Sequence, residues 1–282
     1  MTPDFGADAE RLAAIALAED GHCDVTSDVT VSPTERASAR IEFRTDGRLA
    51  GRVYAEAVAR ACSCTVDWRA GEGEHVRRHA VVGEMTGPLA PLLRAERPLL
   101  NLLQRASGIA TATRAYVGAV TGTTARILHT RKTAPGLRLL DVAGVLAGGG
   151  SLHRIDLAHT VMVKDNHWRA LAAQGLTLRS ALAKARARGV EALQVEVESE
   201  AQLQAACEAG ATRLLLDNQS PETVQRWAAA ARAMAPGIEI EATGGITLDN
   251  VRAYALAGAD FISVGALTHS VKAADIALEI TP

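Results

Sequence analysis

Aromatic side chains make up only 3% of this 282-residue chain, so its core must be built from aliphatic residues. Cysteine is scarce: Cys23, Cys62, Cys64 and Cys207 show no framework of paired spacings, which argues against a disulfide-stapled fold. The Cys62-Ser63-Cys64 pair has no second Cys or His pair at zinc-finger spacing. No uninterrupted apolar run approaches the roughly 18 to 20 residues of a membrane helix, so no membrane partner is expected. Charge of one sign is not in excess. The formal net charge is −2, which argues against nucleic acid as a partner drawn by a basic surface. The opening Met1-Thr2-Pro3-Asp4-Phe5-Gly6 has neither a basic region nor an apolar stretch, so no secretory signal is expected, and reduced thiols in the cytoplasm are the expectation.

What is present is concentrated between His129 and His167. There Arg131, Lys132, Arg138, His153, Arg154 and Lys164 gather in an otherwise nearly neutral chain, threaded with glycines and short apolar runs. Guanidinium offers a planar fork matched to carboxylate or phosphate, and ammonium a mobile point charge. Most charge clusters are solvated faces. Turn glycines and strand-like segments beside this one favour a pocket for a small polyanion.

The chain is long enough for a barrel plus a smaller domain. Residues 8–18 read as an amphipathic helix, residues 37–49 as a hairpin around Asp46-Gly47, and 55–62 as helix. Short strands are expected over 75–86. A helix from Pro91 to Arg105 is expected to be interrupted at Ala106-Ser107-Gly108 and to resume over 110–120. From about Thr124 the rhythm changes to strand then helix. Strands are predicted at 125–130, 160–164, 193–197, 213–217, 238–242 and 261–265, and helices near 177–188, 200–209, 221–234 and 248–257. This alternation predicts a parallel sheet, either closed into a barrel or doubly wound, and the polar strand ends favour the barrel. Lys164, Glu196, Asp217, Thr243 and Gly265 fall at or just past strand carboxyl ends, where barrel enzymes place their chemistry.

Thr243-Gly244-Gly245 and Gly265-Ala266-Leu267-Thr268-His269 follow the last two strands, a frequent phosphate site. Glu196 and Asp217 could hold Mg2+, partly through substrate phosphates, or pair with Lys132 or Lys164. Gly148-Gly149-Gly150 lacks dinucleotide-binding spacing. His75 and His79 lie in a strand or turn, where a metal site is not expected.

Together the segments A-E-R-P-L-L-N-L-L-Q-R-A-S-G-I-A-T (95–111), T-R-K-T-A-P-G-L-R (130–138), A-G-G-G-S-L-H-R (147–154), V-K-D-N-H (163–167), V-E-V-E-S (195–199), L-L-L-D-N (214–218), G-G-I-T-L-D-N (244–250) and F-I-S-V-G-A-L-T-H-S-V-K (261–272) resemble the quinolinate phosphoribosyltransferase family, the carboxylating nicotinate-nucleotide pyrophosphorylases. The resemblance covers nearly the whole chain. It implies an N-terminal α/β sandwich domain (1–115, with 268–282 packing back on it) and an incomplete α/β barrel (116–267). It implies a homodimer or higher homo-oligomer in which Arg105 reaches the neighbouring subunit's site. It also implies transfer of phosphoribosyl from phosphoribosyl pyrophosphate (PRPP) to quinolinate with loss of CO2, giving nicotinate mononucleotide for NAD biosynthesis, with Mg2+ as cofactor. By the same resemblance Arg105, Thr130, Arg131, His153, Arg154 and Lys164 bind the acid. Lys132, Glu196, Asp217 and Lys164 carry the chemistry, Glu196 and Asp217 hold the metal, and Thr243, Gly244, Gly245, Gly265 and His269 bind phosphate. The chain departs from the family's pattern at His129 (usually Asp), Val142 (usually Lys), Leu152 (usually Asn) and Gln194 (usually Glu). A paralogue acting on another pyridine or aromatic carboxylate, and a non-catalytic phosphate-ligand binding protein, are the alternatives.

Overall fold

The computed structural model describes residues 3–281; Met1 and Thr2, where the expected leaderless start begins, and Pro282 lie outside them. Along the chain, α1 (Phe5–Glu19) and α2 (Val25–Thr30) precede β1 (Arg36–Phe43) and the two-residue β2 (Gly47–Arg48). Then come α3 (Arg52–Ala61), β3 (Thr65–Trp68), β4 (His75–Val76), β5 (Val81–Pro88) and the 31-residue α4 (Leu89–Ala119). There follow β6 (Arg126–Leu128), α5 (Arg138–Ala147), β7 (Val161–Val163), α6 (Asp165–Ala173), α7 (Leu178–Ala187), β8 (Leu193–Val197) and α8 (Glu200–Ala209). The chain ends with β9 (Arg213–Asp217), α9 (Pro221–Met234), β10 (Glu239–Thr243), α10 (Val251–Leu256), β11 (Phe261–Ser263), α11 (Ala266–His269) and β12 (Ile276–Thr281).

Two compact units result. The first comprises the residues up to Arg114, Thr133–Gly150 and those from Ala266 onward; the second comprises Ala115–Lys132 and Ser151–Gly265. Residues 133–150, which the sequence places with the barrel, group with the first unit. The reason is packing: Leu140 on α5 joins its core, and Gly144 on α5 lies against α4, where an added Cβ would stand 2.8 Å from the Ala106 carbonyl.

The first unit holds a four-stranded sheet in the order β12-β1-β5-β3, antiparallel throughout. The hairpin expected around Asp46-Gly47 does not form. Ala39, Ile41 and Phe43 are fully buried, and β1 takes β5 on one side and β12, far away in sequence, on the other. The short β2 pairs with β4 instead. The break expected at Ala106-Ser107-Gly108 is also absent, and α4 runs through it. These small residues mark close approach. The Ser107 hydroxyl accepts from Ala50 N–H at 3.0 Å, and the Lys272–Ala273 backbone lies where a Gly108 side chain would be.

The second unit is a six-stranded parallel sheet in the order β6-β11-β10-β9-β8-β7. All five residues of β8 are buried, as expected for a strand covered on both faces. Helices between the strands start and stop on local signals. Ser199 and Ser220 cap α8 and α9 through their side chains, Pro221 opens α9, and Gly210 closes α8 in the left-handed region at φ 77°. Among the described residues β6 and β7 are not paired with each other, so the sheet is the open α/β unit that an incomplete barrel requires. Its parallel sense puts Lys164, Glu196, Asp217, Thr243 and Gly265 at the same end. Also among the described residues, no helix is long and apolar enough to cross a membrane.

Candidate active site

Lys164 directly follows β7, and the register Val163↔Val195 carries it opposite Glu196 on β8. Its Nζ donates to Glu196 Oε2. Glu196 is buried, whereas the lysine side chain stays 41% exposed, so the ammonium keeps one face open. Asp217 ends β9. Burial and then the Glu196 charge push its carboxyl above the ordinary range, with Lys164 pulling the other way. Asn218 Nδ2 donates to Asp217 Oδ2 at 2.7 Å. The structure thus gathers two carboxylates and one ammonium of the expected chemistry.

Thr243 lies opposite Asp217 in register. Gly244 beyond it has φ +83°, with the Asn218 side chain packed where a Cβ would stand, so only glycine fits. Gly245 is also left-handed at φ +60° and faces open space. Asn250 Nδ2 donates to the Gly245 carbonyl at 2.9 Å, and Asn250 Oδ1 accepts from Thr247 N–H at 2.8 Å, which fixes the loop.

Arg131 and Arg154 are both partly buried. Burial, then the neighbouring Arg131 cation, lowers the Arg154 guanidinium below its usual value, while Glu241 acts against this. Arg131 Nε is buried without a hydrogen-bond partner. Two neighbouring cations, one with an unpaired buried donor, thus meet in one partly buried region. Thr130 Oγ1 accepts from Lys132 N–H at 3.1 Å, which turns the chain between them.

His153 sits differently from the expectation of an acid-binding side chain. Its side chain is 7% exposed, and both ring nitrogens are engaged: Nδ1 accepts from Arg154 N–H at 2.7 Å and Nε2 faces Glu241 Oε2 at 3.3 Å. Arg105 and His269 belong to the first unit. Arg105 makes a bidentate pair with the fully buried Asp141, at 2.6 and 2.9 Å, and reaches the Thr268 carbonyl at 3.3 Å. His269 is exposed, with Nδ1 2.7 Å from Ser270 Oγ.

A cavity of about 590 Å3 opens at the opposite, amino-terminal ends of β6, β10 and β11, against Arg126, Glu239 and Phe261. None of the expected residues lines it. Charge and unmet hydrogen bonding, not volume, distinguish the carboxyl-terminal ends. Among the described residues no cluster of three or more His, Cys, Asp or Glu side chains forms a protein-only metal cage. The desolvated Glu196–Asp217 pair nevertheless fits a divalent cation completed by substrate phosphate.

The chain matches the family models for the quinolinate phosphoribosyl transferase N-terminal domain over residues 24–107 and C-terminal domain over residues 109–279. It is 41% identical over 254 residues to the human nicotinate-nucleotide pyrophosphorylase [carboxylating], an alignment spanning 89% of this chain and 84% of that protein. The rat enzyme of the same name is 40% identical over the same spans. The solved nicotinate-nucleotide pyrophosphorylase of Francisella tularensis superposes with a TM-score of 0.90 at 31% identity, covering 100% of this chain and 98% of that one. The chain belongs to the quinolinate phosphoribosyl transferase family. Between the two family domains, matched to 107 and from 109, the chain continues as the single helix α4.

Residues missed by sequence reasoning are His129, Glu241, Asn218 and Asn250. Glu241 had a signal, an acidic residue on a strand buried on both faces. Asn218 had a weaker one, a short polar side chain of the kind that tolerates positive φ, which it adopts at 53°. His129 was marked only as a departure from the family's pattern, and its role stayed hidden because its partner lies 24 residues on.

Proposed function

We propose that the chain joins the ring nitrogen of quinolinate to the anomeric carbon of PRPP, releasing pyrophosphate and then CO2 to form nicotinate mononucleotide in NAD biosynthesis. The observation that carries this reading is the Arg131–Arg154 pair: two partly buried guanidiniums, one with an unpartnered donor, in the same unit as the Lys164–Glu196–Asp217 cluster. Quinolinate is a dianion on one ring and can neutralise both.

The pyridine lone pair forms the new bond to C1′ as the bond from C1′ to the pyrophosphate oxygen breaks, through an oxocarbenium-like transition state. Arg131, Arg154 and Lys164 hold the two carboxylates, and Thr130 shapes the turn that carries Arg131. Lys132 neutralises charge developing on pyrophosphate. Glu196 and Asp217 face the ribose. Thr243, Gly244, Gly245 and Gly265 take the 5′-phosphate through backbone N–H groups. Mg2+, bound by Glu196, Asp217 and substrate oxygens, would supply further neutralisation of the leaving group. The C–C bond to the ring 2-carboxylate then breaks. Its electron pair stays on the ring carbon beside the new pyridinium, which stabilises it until a proton is taken up. The protein's part is positioning and exclusion of water.

The working form we propose is a cytoplasmic homodimer or higher homo-oligomer, with Arg105 supplied by the neighbouring subunit. Asp141 engages Arg105 through Nε and Nη2, and Nη1 is uncommitted among the described residues.

The test is turnover with quinolinate, PRPP and Mg2+, scored by CO2 release and nicotinate mononucleotide. Consumption of PRPP only with a different pyridine acid would move the assignment to that acid, and ligand binding without turnover would make the chain a binding protein.

A further inference from the structure

The segment Ser151–Arg154 returns beside the end of β6, and the ladder between them changes chemistry after one rung. Ser151 N–H donates to the Ile127 carbonyl at 2.7 Å, and Ser151 and Leu128 form a parallel bridge. In a regular parallel ladder the next donor, His153 N–H, would reach the carbonyl of residue 129. Here it reaches the side chain of that residue, at 2.9 Å from His129 Nε2.

His129 is fully buried. A backbone donor pointing at Nε2 defines that nitrogen as an unprotonated acceptor, which places the ring proton on Nδ1, 3.3 Å from the Thr130 carbonyl. The same logic fixes His153. Its Nδ1 accepts from Arg154 N–H, so Nε2 carries the proton toward Glu241. Glu241 is itself buried and held by the Ser263 hydroxyl at 2.6 Å and Arg213 Nη1 at 3.2 Å. Every donor along this line meets an acceptor.

His129 therefore touches both arms of the cationic pair. It precedes Thr130-Arg131 in the chain, and its ring holds the backbone that carries Arg154. The two guanidiniums repel each other, so their separation must be imposed. We infer that His129 is a positioning residue for acid binding: its Nε2, in place of a backbone carbonyl, sets the spacing of Arg131 and Arg154 so that both face one small dianion. The inference rests on the quinolinate reading above.

The test compares three variants of the full chain. His129→Gln places an amide oxygen near the position of Nε2; His129→Asn is too short to reach, and His129→Leu offers no acceptor. Leaving a buried N–H unpaired is expected to raise the quinolinate KM about tenfold or more in Asn and Leu, with the PRPP KM within about twofold and Gln near wild type. Wild-type quinolinate KM in the Asn variant, or a Gln variant as impaired as Asn, overturns the inference. So does a loss of Tm and kcat with KM unchanged, which marks a purely structural role. If the Leu variant does not fold, the Asn–Gln comparison decides.

Nuclear magnetic resonance provides a readout independent of turnover. An unprotonated His129 Nε2 and a His153 amide hydrogen that exchanges slowly in wild type and Gln, but quickly in Asn, are expected. A protonated Nε2, or an unprotected His153 amide in wild type, sinks the inference. If wild type neither binds nor turns over quinolinate, the functional reading fails, and these resonances still decide whether His129 holds the loop.

Discussion

In the proposed reading Arg131 and Arg154 carry the recognition chemistry. The Arg131 Nε has no partner, and Arg154 is lowered by burial and by Arg131 itself. An anion bound between them relieves both costs at once. Arg131→Ala or Arg154→Ala is accordingly expected to weaken quinolinate binding by about 2–5 kcal/mol, as truncation of one partner in a buried charged contact does. The double variant should lose less than the sum, because the two act on one ligand. Isothermal titration with quinolinate checks both statements; unchanged affinity in either single variant removes that residue from the clamp. Lys164 differs, being already paired with Glu196, so a smaller loss of quinolinate affinity is expected on its replacement.

At the scale of elements, α4 and α5 are joined by one buried ion pair and by glycine contacts. An added Cβ at Gly148 would lie 2.5 Å from the Ala110 carbonyl, so α5 rests directly on the α4 backbone. The pair Arg105–Asp141 crosses this contact. Burial raises the Asp141 carboxyl above its ordinary range, and the Arg105 hydrogen bonds and charge pull it back only in part. Desolvation therefore outweighs the pairing. A folded-state pKa raised above the unfolded value means stability that is full at low pH and lost as pH rises through the folded pKa. Relative to Asp141→Asn, which does not titrate, wild type should lose stability as pH climbs from below the ordinary carboxylate range toward neutrality. Urea midpoints of both proteins across that range measure it. A gap that is constant, or that shifts toward wild type, would show that Arg105 compensates burial fully.

At the scale of the whole molecule, the reading requires sites completed between subunits. Arg105→Ala and Lys164→Ala should each be nearly inactive alone. Mixed and allowed to exchange subunits, half the dimers become hybrids with one intact site of two, so recovery on the order of a quarter of wild-type activity is expected. No recovery, with exchange shown by mass, places Arg105 in its own subunit's chemistry or outside the site. Conservation of the whole architecture is independent of this question, since a TM-score of 0.90 extends over the full chain at 31% identity.

Much of the second unit was legible because its signals are local. Strand 213–217 read directly from its Leu214-Leu215-Leu216 run, and strand 193–197 from its three spaced apolar residues, although all five of its positions, Gln194 and Glu196 included, are buried. Helices 200–209 and 221–234 carry their own serine caps. Strand ends then located Lys164, Glu196, Asp217 and Thr243, and the motifs named the family. The first unit was less legible because its decisive contacts are remote: β12 beside β1, Lys272 against Gly108, Ala50 on Ser107. A serine and a glycine look like a helix break until the packed backbone is present. The same holds in the site. Amino-acid order alone determined which charged groups the protein possesses and which strand ends present them. Only the tertiary structure decided that His129 would stand in for a carbonyl, that His153 would be fully engaged and that Arg131 would be left with an unmet donor, because hydrogen-bond partners in a dry interior are assigned by position in space rather than along the chain.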